Sequence, residues 1–165
     1  DFTAEFVEIG QGGRLKVSGS LNPKFLTVSN REKPMKAQCL CGAVSLETAE
    51  NRELHACHCG RCRVWGGGAS FTLAAQSPEI TGSEHIAHYQ SSEWAQRCFC
   101  KHCGTHLFVQ VGNDYYINAG LFADNAGFET SSQIFIDCKA PYYDLANDTP
   151  KLTEAEFLEM VGAAG

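Results

Sequence analysis

The sequence predicts a mainly β domain closed by one C-terminal helix and built around clustered cysteines. Three observations carry that expectation. Short stretches alternate apolar and polar residues with the two-residue period of a half-buried strand. Thr153 is followed three residues later by Glu156 and an apolar stripe, Phe157, Leu158 and Val161, which is the pattern of a capped helix. Eight of the nine cysteines fall into three knots: CLC at Cys39 and Cys41, CHCGRC at Cys57, Cys59 and Cys62, and CFCKHC at Cys98, Cys100 and Cys103.

Taken in order, the alternation is clearest at Ala43-Val44-Ser45-Leu46-Glu47-Thr48, then at Ile86-Ala87-His88-Tyr89. It is looser over residues 105–111, THLFVQV. Gly112-Asn113-Asp114 reads as a turn into Tyr115-Tyr116-Ile117-Asn118, which completes a hairpin. A further strand is expected at Ser132-Gln133-Ile134-Phe135-Ile136. Residues 1–34 contain neither cysteine nor histidine, and GQGG and SGSLNPK interrupt any long element there. They read as an N-terminal extension of unknown role, with RLKVSG and KFLTVS as a plausible strand pair. The domain proper, which holds all nine cysteines, is placed at 35–165.

Bulk composition narrows the function. The chain has 165 residues, enough for one domain that buries about 70% of its unfolded surface without help from disulfides. A net charge of −6 argues against nucleic acid as a partner, because phosphate binding needs a basic surface. No run of about 18 apolar residues appears, so no membrane span is expected. The opening DFTAEFVEIGQGG does not read as a signal peptide. An odd cysteine count at C-x-C and C-x-x-C spacings then favours metal ligands over a disulfide scaffold, and a reducing, cytoplasmic location.

Two sulfurs on one tetrahedral zinc stand roughly 3.8 Å apart, given Zn–S bonds of ~2.3 Å. Residues i and i+2 of a flat strand are ~6.6 Å apart at Cα, so a C-x-C pair shares a metal most easily where the chain bends. Gly42, Gly60 and Gly104, each directly after a cysteine, suit such bends. Eight thiols could make two closed four-thiolate sites, or one closed site and one open three-thiolate site with a spare cysteine. Spacing alone leaves both open. The difference matters, since a catalytic zinc keeps a position free.

The order C-L-C-G-A-V, then C-H-C-G-R-C-R with W-G-G-G, then F-C-K-H-C-G-T-H-L resembles the glutathione-dependent formaldehyde-activating enzyme family, which includes centromere protein V. The likeness runs from about Met35 to Met160 and takes in SSEWAQRCFC, NAGLF and SQIFIDCKAPYYD. It implies coiled antiparallel β-sheets around two zinc ions. It implies that Cys39, Cys41, Cys100 and Cys103 hold a structural zinc, and that Cys57, Cys59 and Cys62 hold a second, open zinc where chemistry occurs. The implied reaction joins formaldehyde and glutathione into S-(hydroxymethyl)glutathione, a carbon–sulfur lyase reaction run in reverse. Cys98 departs from the family pattern. As a fourth thiolate it would close the second site; the reading preferred is a buried thiol on a strand. Cys138 reads as a strand-end thiol with no partner nearby in sequence.

Around the clusters, Arg63, Trp65, Gly66 and Gly67 are the candidate glutathione pocket, with Gly68 extending a flexible wall; a tight turn beside a core tryptophan is an equal reading of the same residues. Arg61, Arg97 and Lys101 could meet glutathione carboxylates, against a plainer reading as solvated charges tied to local acids such as Glu93. His58 is expected to be structural. His55, His102 and His106 are weaker ligand candidates, and the Glu93-Trp94 pair is a minor candidate for the pocket. Two other functional classes compete with the enzyme: a zinc-folded binding module with both sites closed, and a thiol-redox protein.

Overall fold

The computed structural model describes residues 33–162, so the strand pair expected at RLKVSG and KFLTVS lies outside the described residues. Two sheets share one core. The smaller is a three-stranded antiparallel sheet in which β2 (Ser45–Thr48) lies between β1 (Met35–Gln38) and β5 (Glu79–Thr81). The larger has eight strands. Its members are β3 (Glu53–Cys57), β4 (Ser70–Gln76), β6 (Ile86–Gln90), β7 (Ala95–Cys100), β8 (His106–Val111), β9 (Asp114–Asn118), β10 (Glu129–Ile134) and β11 (Lys151–Leu152). Their spatial order is β11-β10-β3-β4-β9-β8-β7-β6. Most pairs are antiparallel, as expected, but β10 runs parallel to both β3 and β11. That parallel entry is what returns the chain after Asn118 to the edge beside β3.

The alternation seen in sequence is the alternation of burial. Leu46 is fully buried on β2 while Glu47, next to it, forms an exposed ion pair with Lys36 across the strand pair. Leu73, Leu107 and Ile117 are fully buried on the facing strands of the larger sheet. Each such side chain stabilises the fold by about 1.5–3 kcal/mol relative to exposure. The turn at Gly112 is present, with a positive φ of 57° that favours glycine. The strand expected at residues 132–136 is displaced: β10 stops at Ile134, and Phe135 adopts a left-handed conformation that starts a 3-10 turn at Ile136–Cys138.

Helix α2 (Glu154–Met160) forms where expected. Thr153 accepts a hydrogen bond from the Glu156 backbone N–H, and the Glu156 carboxylate accepts from the Thr153 N–H at 2.8 Å. A second helix, α1 (Gly60–Gly66), was not expected. It is only seven residues long and two glycines lie within it, so propensity gives it little support. The Cys59 sulfur caps its start by accepting from the Cys62 N–H, and Gly67 ends it at φ 82°. The flexible Trp65-Gly66-Gly67-Gly68 wall is therefore corrected: Trp65 and Gly66 are helical and Gly67 is the cap.

Candidate metal centres and an adjoining recess

Two sulfur clusters form, and they divide the cysteines as the resemblance implied. The sulfurs of Cys39, Cys41, Cys100 and Cys103 lie within 4.8 Å of one another. Cys39 and Cys41 come from the loop between β1 and β2; Cys100 ends β7 and Cys103 follows it. The two loops are built alike. Gly42 N–H bonds back to the Cys39 carbonyl and Gly104 N–H to the Cys100 carbonyl, with φ of 78° and 70° at the glycines. Leu40 N–H donates to Thr105 Oγ1 at 3.2 Å and ties one loop to the other. The S···S separations of 3.6 Å for Cys39–Cys41 and 3.7 Å for Cys41–Cys100 match the edge of a tetrahedral zinc–thiolate site. The donor set thus fits zinc.

These thiols are prepared unequally for ionisation. The Thr105 hydroxyl and backbone N–H hold Cys103 down to about 5. Burial opposes ionisation of Cys39, but the Val44 N–H and the neighbouring sulfurs outweigh it and bring that thiol below its usual range. A negative charge gathered by some sulfurs suppresses ionisation of the rest until a cation arrives.

The second cluster joins Cys57, Cys59 and Cys62, again within 4.8 Å. Cys57 ends β3, Cys59 caps α1, and Cys62 lies buried in its first turn. Contact with the Cys57 and Cys62 sulfurs holds Cys59 down to about 2. Cys57 is correspondingly pushed far up by Cys59, then by Cys62 and by burial. Three sulfurs this close oppose one another's ionisation unless a metal is bound. Binding a divalent ion would draw the remaining protons off.

Cys98 belongs to neither cluster. It is 1% exposed on β7, its sulfur is 3.2 Å from His88 Nδ1, and burial pushes its thiol up to about 11. Its neighbour Arg97 reaches the Cys62 sulfur, and adjacent residues on a strand point to opposite faces, so Cys98 is turned away. Cys138 is free and half-buried, in the 3-10 turn after β10 rather than at a strand end, with Asp137 and Glu154 beside it.

The histidines are engaged elsewhere. Buried His58 is held by Gln133 Oε1 at 3.1 Å and by the Tyr143 hydroxyl at 2.6 Å, a structural role as expected, and burial depresses its pKa. His55 pairs with Ser132 at 2.8 Å and His102 with His85 at 3.0 Å. His106 stacks on Trp65 with centroids 4.3 Å apart.

A recess of about 320 Å³ opens beside the second cluster, lined by Arg61, Val64, Trp65, Tyr89, Ser91 and Arg97. Of the four residues proposed for a glutathione pocket, Trp65 lines it. Gly67 instead accepts a hydrogen bond from the Tyr142 hydroxyl at 2.9 Å, and Arg63 lies near Tyr143 and Cys138. Lys101 donates to the Glu84 carbonyl, while Glu93 and Trp94 are exposed in the turn between β6 and β7. A wider hollow of about 540 Å³ between Gln76–Pro78 and Asn113–Tyr115 contains neither cysteine nor histidine.

Arg97 is the residue that sequence reasoning undervalued. It is 5% exposed, with no carboxylate partner among the described residues, so the solvated-charge reading is corrected. Its Nη2 donates to Cys62 Sγ at 3.6 Å and its guanidinium lies 5.7 Å from the Trp65 ring centroid, while Nη1 is buried with no partner among the described residues. An unsatisfied buried donor costs about 1–3 kcal/mol, more when charged. The only sequence signal was register: Arg97 shares a strand face with Ala95, which is buried.

The family model of the glutathione-dependent formaldehyde-activating enzyme matches residues 34–138. The chain belongs to this family. A Schizosaccharomyces pombe protein named as an uncharacterized lyase is 35% identical over 131 residues, covering 76% of this chain and 96% of its own. A Podospora anserina protein named for the same family is 30% identical over 87 residues, covering 47% of this chain and 40% of its own. Among solved structures, a Rhodobacter sphaeroides protein aligns with a TM-score of 0.48 and 27% identity, covering 55% of this chain and 89% of that one. Both cysteine clusters of this family member fall within the matched residues. Among the described residues, no helix is long and apolar enough to cross a membrane.

Proposed function

We propose that this family member is a zinc-dependent carbon–sulfur lyase-type enzyme that joins an aldehyde to a small thiol, with formaldehyde and glutathione as substrates. The observation that carries this reading is the cluster of three sulfurs, Cys57, Cys59 and Cys62, next to a recess, with the fourth candidate, Cys98, turned into the core. Zinc bound there would hold a substrate sulfur as thiolate at neutral pH. The Cys39–Cys41–Cys100–Cys103 group is then a structural zinc site, giving two zincs per chain.

The chain's own residues account for the rest of the work. The thiol approaches through the recess, where Trp65, packed on His106 and against Phe99 at 5.7 Å, gives a rigid wall rather than a flexible one. Holding sulfur and aldehyde side by side converts a bimolecular encounter into a positioned addition. Exposed Arg61 on the same recess supplies a cation for a glutathione carboxylate. A chemistry resting on reduced thiols suits a reducing compartment such as the cytoplasm.

Titration of the cobalt-substituted protein with glutathione tests the reading, with S-methylglutathione as control. The expected result is a saturable shift of the visible bands with glutathione alone, at constant bound cobalt, together with faster exchange between formaldehyde and its glutathione adduct when protein is present. A spectrum of two closed four-thiolate sites, indifferent to glutathione, would overturn it in favour of a non-catalytic zinc-folded module.

A further inference from the structure

We infer that Arg97 is the oxyanion-binding residue of the second cluster: one arm of its guanidinium steadies the Cys62 sulfur, and the other binds an anionic oxygen one carbon away from the sulfur of the bound thiol. This rests on the reading of that cluster as a thiol-binding site. The guanidinium is a planar fork of five donors that cannot be relieved by losing its proton. Its side chain is 95% buried, lodged against Trp65, with Nη2 on Cys62 Sγ at 3.6 Å. Nη1 has no protein partner among the described residues although it is shielded from solvent. Folding a charged donor into such a place is costly unless something else meets it.

Position limits what that partner can be. Nη1 shares a plane with the arm already on Cys62, and Arg97 itself lines the recess beside the cluster. A carboxylate at the far end of a peptide would lie too far from a sulfur seated among the cysteines. An oxygen separated from that sulfur by one carbon would lie beside it, and the addition of a thiol to an aldehyde makes that arrangement. The thiolate sulfur forms a bond to the carbonyl carbon, and the C=O π pair moves onto oxygen. The new oxyanion accepts from Nη1 and then takes a proton from water. The hydroxide left behind is neutralised by the proton the thiol lost on ionising. A donor already in place where charge develops stabilises the product side without reorganisation. Arg97 is thus expected to be a catalytic residue, with Trp65 holding it in position.

Two thiols read the geometry without any turnover. Thioacetate, a thiocarboxylate, carries an anionic oxygen one carbon from sulfur; ethanethiol, of the same size, carries none. Their affinities for the cobalt-loaded protein are measured from the visible bands, in the wild type, in Arg97→Met and in Arg97→Lys. The wild type is expected to prefer thioacetate by about tenfold or more, the scale of one charge-assisted hydrogen bond. In Arg97→Met that preference, read as the ratio of the two affinities so that a general loosening at Cys62 cancels, is expected to fall to about one. Arg97→Lys is expected to fall between, because a point charge lacks the fork. Equal affinities in the wild type, which needs no variant to fold, overturn the inference and leave the thiol site standing. A preference that survives in Arg97→Met assigns it to direct metal chelation or to Arg61 and overturns the inference as well. If neither thiol perturbs the wild-type spectrum, the thiol-site reading falls and takes this inference with it.

Discussion

The two sulfur clusters differ in how far the chain travels to build them. Cys41 and Cys100 are 59 residues apart, and their loops belong to different sheets. Cys57, Cys59 and Cys62 fall within six consecutive residues at the junction of β3 and α1. A metal in the first cluster closes a long loop and pins one sheet to the other, so its binding energy is folding energy. A metal in the second adds little to the topology, because β3 and α1 are joined by covalent chain already. Nature of ligand is the same in both; the sequence separation decides whether a metal serves the fold or is free to serve chemistry.

The comparison breaks most visibly under substitution of single ligands. Cys41→Ser is expected to abolish cooperative folding or lower Tm by tens of degrees, since structural zinc contributes on the order of 10 kcal/mol in small zinc-folded modules. Calorimetry and near-ultraviolet circular dichroism measure it. Cys57→Ser is expected to leave a folded protein with one zinc in place of two, and to lose more than about 100-fold in the formaldehyde–glutathione exchange rate, a larger loss than changes behind the ligand shell produce. If the two variants unfold alike, the division of labour between the clusters is wrong.

Cys98→Ala sharpens the comparison. The sulfur is fully buried against His88, so its loss should cost about 1–2 kcal/mol through the cavity left behind. Metal content by atomic emission should stay at two per chain, and glutathione should still shift the cobalt bands. A fall to one metal would make Cys98 a ligand and the second cluster a closed one.

How much of this was legible follows from the same distinction between local and distant causes. The capping box of α2, the hairpin at Gly112 and the alternation on β2 were legible because neighbouring residues determine them. The cysteine knots were legible as candidate metal ligands from spacing, but their division into four and three came from resemblance, as no local rule pairs Cys41 with Cys100. Helix α1 was missed because its support is a sulfur cap and the cluster itself, and neither carries a propensity signal. Arg97 was misjudged for a related reason. A charged residue next to a cysteine knot reads as surface, and only the pairing of β7 between β6 and β8 places it under Trp65.

The smallest expected effect lies at α2, which serves as a control on both clusters. Phe157 packs on Phe135 with centroids 5.3 Å apart, and Phe135 directly follows Ile134, whose carbonyl accepts from His58 N–H between Cys57 and Cys59. Loosening α2 therefore touches the second cluster weakly and the first not at all. Thr153→Ala removes the cap and should cost about 1 kcal/mol at pH 7. The Thr153 backbone N–H, then its hydroxyl, hold the Glu156 carboxyl below its usual range in the folded protein. A depressed folded pKa means that this part of the stability is fully present above the unfolded value of about 4.3 and is lost as pH falls through the folded one. Hydrogen exchange at the α2 amides should accordingly separate wild type from Glu156→Gln at pH 7 and cease to separate them in acid. Were Thr153→Ala instead to release zinc from either cluster, α2 would be part of the metal scaffold and the division between near and distant support would have to be redrawn.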